Sequence, residues 1–166
     1  MNHRVAIFII LALDFVLLLL KIDELSISYF EAMALASSSS LLGLILQASF
    51  SIFGKSDFAL RLPMVLFHLS SVVLVYKISA NYLKEPKNRV WTTLVFILLP
   101  GVVRSALLVH MAGISIFLLL LFIYLYESKH FKSAMLLLAL CAAVDEHFIY
   151  LYISMFLFAL YKKEYK

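Results

Sequence analysis

Charge is scarce in this chain: 14% of its 166 residues are Asp, Glu, Lys or Arg, against 64% hydrophobic. That deficit excludes an ordinary soluble domain. A fold of this length cannot hide so much apolar surface from water, so lipid has to be one of its solvents. Polar–apolar alternation is also missing from the apolar runs, which excludes barrel strands. Helices remain, because their backbone satisfies its own hydrogen bonds in lipid. The single cysteine, Cys141, excludes a disulfide within the chain; it lies in an apolar run and reads as a small buried residue. No small-residue cleavage site follows the first apolar run, where Lys21-Ile22-Asp23-Glu24 stands instead. The amino terminus therefore reads as an uncleaved membrane helix rather than a signal peptide. No internal repeat is apparent.

What is there are six apolar segments, at about 5–20, 62–83, 90–99, 111–126, 133–144 and 148–161. The expected fold is all-α: a polytopic transmembrane bundle of about six membrane helices, with one or two interfacial helices in the first outer loop. All 166 residues form one transmembrane domain in this reading. The last two segments are short of the roughly 20 residues that span a bilayer, and a hairpin turning at Asp145-Glu146-His147 avoids burying two carboxylates at mid-membrane. With the amino terminus in the cytoplasm and every segment crossing, nine basic residues fall inside and four outside, with Lys77 near the inner end of the second span. The positive-inside rule supports that orientation. Asp23, Glu24, Glu31, Asp57, Asp145 and Glu146 then fall outside. The net charge of +4 sits in short clusters between apolar runs, a topology signal rather than a phosphate-tracking stripe, so nucleic acid is not an expected partner.

The loop after the first span carries the most information. On a helix, Glu24, Ser28 and Glu31 share one face, and Ile27, Phe30 and Ala34 another, which describes a short helix at the membrane surface. Residues 41–53 form a second apolar stretch, too short to span and expected to be interfacial or re-entrant. Gly54 ends it, Ser56 caps the next helix, and Asp57 and Arg61 stand one turn apart. Pro63 allows a kink at the entry to the second span.

The string Phe53-Gly54-Lys55-Ser56-Asp57-Phe58-Ala59-Leu60-Arg61-Leu62-Pro63 resembles a recurrent segment of polyprenyl-phosphate-dependent glycosyltransferases of the GT-C superfold, family 39, which includes protein mannosyltransferases and lipid A aminoarabinose transferases. The acidic pair after the first span, the two interfacial helices, Pro100 ending the third span and the short fourth span are similar too. The resemblance extends over the whole chain and matches the amino-terminal part of that architecture. Two departures stand out. Leu108-Val109-His110-Met111-Ala112 occupies the place of an acidic residue at the start of the fourth span, and Ser37–Ser40 replaces a His-Pro-Pro-like segment. The chain also lacks the family's later helices and carboxy-terminal domain, so a fragment, a truncated product or a reduced member working with a partner membrane subunit are all readings of it.

The resemblance implies transfer of a sugar from a polyprenyl-phosphate donor to an acceptor hydroxyl on the non-cytoplasmic face, in a bacterial inner membrane with periplasmic acidic loops. Such chemistry needs a carboxylate to accept the acceptor's proton and cations to hold the phosphate. Asp23 is the first candidate base and Glu24 the second; the plain alternative is that the pair solvates a loop. Arg61 and Arg104 are candidate phosphate contacts, with snorkelling as the alternative, or for Arg61 a local pair with Asp57. His110 is a candidate at the missing acidic position, and Asp145 and Glu146 join the outer face as candidate substrate-binding residues. Consecutive Asp145-Glu146-His147 does not have metal-ligand spacing, so no metal and no cofactor is expected. The rival reading is a non-catalytic small membrane protein, either an accessory subunit or an inactive remnant. Finally, Asp14 lies seven residues inward from Lys21, and His68 seven inward from Arg61. At 1.5 Å per residue both stand about 10 Å deep, which makes them expected partners.

Overall fold

A computed structural model describes residues 3–22, 24–36, 40–144 and 148–164, and these are helical apart from short connections. The first helix, α1 (His3–Ile22), has 20 residues and is about 30 Å long, the thickness of a bilayer's hydrocarbon core. Most of it is uncovered: Phe8 is 70% and Leu20 65% exposed, while Asp14, Leu18 and Ile22 are buried. Two short helices follow, α2 (Tyr29–Ala36) and α3 (Leu41–Phe53), then the long α4 (Asp57–Tyr82). After these come α5 (Pro86–Leu98), α6 (Pro100–Leu107), α7 (Met111–Glu127), α8 (Phe131–Val144) and α9 (Phe148–Glu164).

The local sequence accounts for most of these boundaries. Ser40 caps α3 by accepting a hydrogen bond from Gly43 N at 3.0 Å, and Ser56 caps α4 through Ala59 N at 3.1 Å. Between them Gly54, at φ 76°, closes α3 in a conformation that costs glycine little. Leu99 precedes a proline and is held extended, at ψ 123°, so α5 stops there and α6 leaves at a bend of 63°. Helix α2 starts later than the face pattern of Glu24, Ser28 and Glu31 suggests. Ser28 and Glu31 form a reciprocal capping box instead, Ser28 N to Glu31 Oε2 at 2.7 Å and Glu31 N to Ser28 Oγ at 3.3 Å, so the helix begins at Tyr29.

Helix α4 is the axis of the assembly, packing on α1, α3, α5, α6 and α7. One core cluster joins α3, α4 and α7 through Leu46, Met64 and Ile114, and a second joins α1, α4 and α6 through Ile22, Val65 and Ala106. A third, built on Phe122, Ala134 and Leu138, fastens α8 to α7, and α9 packs on α8. Gly113 lets the start of α7 approach α6: a Cβ there would meet the Ser105 carbonyl oxygen at 2.8 Å. At the other end of α4, Asn81 donates to Glu127 at 2.7 Å, Tyr82 hydrogen-bonds the same carboxylate, and Lys77 stands 5.4 Å over the Tyr124 ring.

Among the described residues, two helices, α1 and α4, are long and apolar enough to cross a membrane, and a third span results if the bent pair α5–α6 counts as one. Helices α7, α8 and α9 have 17, 14 and 17 residues, short of the roughly 20 that span unaided. The all-α class is as expected, and the apolar helices point to a membrane-associated protein. By length and composition alone, two or three spans qualify among the described residues, and the shorter apolar helices α7, α8 and α9 fall below that test.

Candidate functional site

The site begins with Arg61, which sits in the first turns of α4 with no accessible surface. A buried guanidinium is tolerable only if its five N–H donors are met, and here they are. Nε and Nη2 donate to Glu31 at 3.0 and 3.3 Å; Nη1 donates to the carbonyls of Ile22 and Leu25 at 2.5 and 2.9 Å; Nη2 also reaches the Ser26 carbonyl at 3.1 Å. Glu31 is equally buried, and besides Arg61 it accepts from Ser28 N and, at 3.4 Å, from Val109 N at the α6–α7 junction. Burial by itself raises the Glu31 pKa, but the hydrogen bonds from Arg61 and Ser28 and the guanidinium charge outweigh it, holding the carboxyl below its ordinary 4.5.

This ion pair therefore ties together the end of α1, the start of α2, the first turns of α4 and the entry to α7. The carbonyls that Arg61 grips bracket positions 23 and 24 in the chain. Asp23 itself lies outside the described residues, as do Asp145 and Glu146. Glu24 is exposed and bonded to Lys21 Nζ at 2.5 Å. Arg61 is not an open cation at the surface, and its carboxylate partner is Glu31 rather than Asp57.

Arg104 and His110 do come together. They line a cavity of about 220 Å³ with Ser28, Ser105 and Val109, directly beside the segment that bonds Glu31. Arg104 is exposed and makes no hydrogen bond or ion pair among the described residues. His110 is the N-cap of α7, its Nδ1 accepting from Ala112 N at 3.1 Å. A cation and a capping imidazole flank this cavity, and such a pair suits an anion such as a phosphate. Among the described residues, no three His, Cys, Asp or Glu side chains come together as a metal site.

Within the bundle, His68 Nε2 and Asp14 Oδ2 are 2.8 Å apart and both residues are buried, the pairing expected from their equal depth. Among the described residues, His68 Nδ1 has no hydrogen-bond partner. Glu31 is the residue whose role sequence reasoning missed. The signal was present: Ser28-Tyr29-Phe30-Glu31 has the spacing of a capping box, which turns the glutamate inward toward its own helix start. No family model, curated protein or solved structure matches this chain.

Proposed function

We propose that this chain is a membrane glycosyltransferase of the GT-C kind, moving a sugar from a polyprenyl-phosphate donor to an acceptor hydroxyl. The observation that carries the reading is the Arg61–Glu31 clamp, which pins the backbone on either side of Asp23 and Glu24 next to the cavity lined by Arg104 and His110. A general base works only if its backbone is held relative to the leaving group, and an arginine wholly occupied in gripping that backbone supplies the hold. In this scheme the acceptor oxygen attacks the anomeric carbon while the bond from that carbon to the phosphate oxygen breaks. The acceptor proton passes to Asp23, with Glu24 as second candidate, and polyprenyl phosphate leaves against Arg104 and His110. Asp145 and Glu146 complete the acidic outer face. Helix α7 crosses beside α4, α8 beside α7 and α9 beside α8, giving about six membrane helices, with the amino terminus cytoplasmic and the acidic loops periplasmic in a bacterial inner membrane. The nine-to-four distribution of basic residues supports that orientation.

A second reading, a non-catalytic subunit or inactive remnant, is favoured by the way the charges are used up: Arg61 on Glu31, Glu24 on Lys21. Proteoliposomes given a labelled polyprenyl-phosphate sugar and a hydroxyl acceptor separate the two. Transfer is expected, falling at least about a hundredfold in Asp23→Asn. Transfer that survives this substitution rejects the assigned base, and no transfer by the wild type favours the second reading.

A further inference from the structure

We infer that a separate cavity at the amino-terminal mouth of α4 binds the headgroup of a zwitterionic aminophospholipid, its phosphate on Lys55 and its ammonium on Asp57. The cavity, about 690 Å³, lies between α2, α3 and the start of α4. Its walls are apolar, formed by Ile27, Leu46, Phe50 and Leu60, while Gln47, Lys55 and Asp57 supply its polar edge.

Charge is the first argument. Lys55 and Asp57 are exposed, and neither has a hydrogen-bond or ion-pair partner among the described residues. Asp57 stands one turn from Arg61, but the donors of that arginine are all engaged elsewhere. Two residues apart, Lys55 and Asp57 have Cα atoms within about 7.6 Å of each other, two trans-peptide steps. A lone anion would be drawn to Lys55 and repelled by Asp57, and a lone cation the reverse. A ligand with both signs a few bonds apart satisfies both.

Depth is the second argument. Phe53 and Phe58 meet edge-on at 5.9 Å beside this mouth, and both are exposed, as is Ile52. The mouth lies at the end of α4, a helix of membrane-spanning length, and such an end stands at headgroup level, where the amphiphile in supply is phospholipid. The amine class follows from hydrogen bonding. A primary ammonium has N–H donors for the Asp57 carboxylate and the Gln47 amide oxygen, whereas a quaternary ammonium has none. This site uses neither Asp23 nor Arg104 nor His110, so it stands or falls apart from the transferase reading.

The test is lipid retention by the full chain, measured by native mass spectrometry with phosphatidylethanolamine, phosphatidylcholine and phosphatidylglycerol of matched acyl chains. Retention of the ethanolamine lipid about tenfold above the glycerol lipid is expected, with Asp57→Asn bringing that ratio near one and Lys55→Gln lowering all three. Equal or better retention of phosphatidylglycerol by the wild type overturns the site, and so does a ratio that Asp57→Asn leaves unchanged. Gln47→Leu is the second variant, expected to narrow the ethanolamine-to-choline ratio. If the charge variants fail to fold, an unchanged ratio in Gln47→Leu rejects the assignment.

Discussion

The Ser49 hydroxyl, on α3, donates to the Ala59 carbonyl of α4 at 2.5 Å, and Ala59 is the residue whose carbonyl Pro63 leaves without a helical N–H. A proline inside a membrane-length helix removes a backbone donor that water cannot replace in lipid, so a neighbouring hydroxyl takes its place. Ser49→Ala is expected to destabilise the protein by about 1 kcal/mol, and the same change in a Pro63→Ala background by much less, since residue 63 then supplies its own N–H. A double-mutant cycle in detergent unfolding measures the difference; additive effects would separate the two residues.

Removing Arg61 is the most damaging single change expected. Arg61→Met strands Glu31 as a buried carboxylate and frees three backbone carbonyls, at a cost of about 3–5 kcal/mol. Combining it with Glu31→Gln should recover part of that loss. A double variant no better than Arg61→Met alone would show that the carbonyl contacts, not the ion pair, dominate.

The same pair sets an acid limit. Because the folded state holds the Glu31 pKa below 4.5, folding favours its ionised form. That stabilisation is fully present above pH 4.5 and is lost as pH falls through the lower folded value. Thermal unfolding from pH 7 down to 3 should show the wild type losing stability below pH 4.5. Glu31→Gln, less stable at neutral pH, should lose less over that window; parallel curves would exclude Glu31 as the source.

Gly113 and Gly101 make a matched comparison. A Cβ at Gly113 collides with the Ser105 carbonyl, whereas one at Gly101 meets nothing within 4 Å. Gly113→Ala is expected to cost about 1–3 kcal/mol by forcing α6 and α7 apart. Gly101→Ala, inside α6, should be neutral or stabilising by up to about 1 kcal/mol. Melting temperatures of the two variants give the answer directly.

What could be read from the residues was what local chemistry decides. The bounds of α3, its glycine stop and the Ser56 cap were all legible, because each depends on neighbours within a turn. The Asp14–His68 pair was legible too, since antiparallel helices of known rise put equal counts at equal depth. Arg61 was harder. Asp57 lies at helical spacing from it, while its real partner is 30 residues away on a helix whose start depends on the capping box. The contact between Val109 N and Glu31 spans 78 residues and has no local signal at all. Hydropathy also delayed the start of α4 to residue 62, although the cap begins it at Asp57.

Chain order adds a consequence to the Asp14–His68 contact. The two residues are 54 apart, so at synthesis rates of about 5–20 residues per second Asp14 emerges roughly 3–10 s before its partner. During that interval α1 carries a carboxyl with no companion, which disfavours its release into hydrocarbon. Glu31 waits in the same way for Arg61. The arrival of α4 supplies both partners, so neither Asp14 nor Glu31 completes its pairing before α4 has been made.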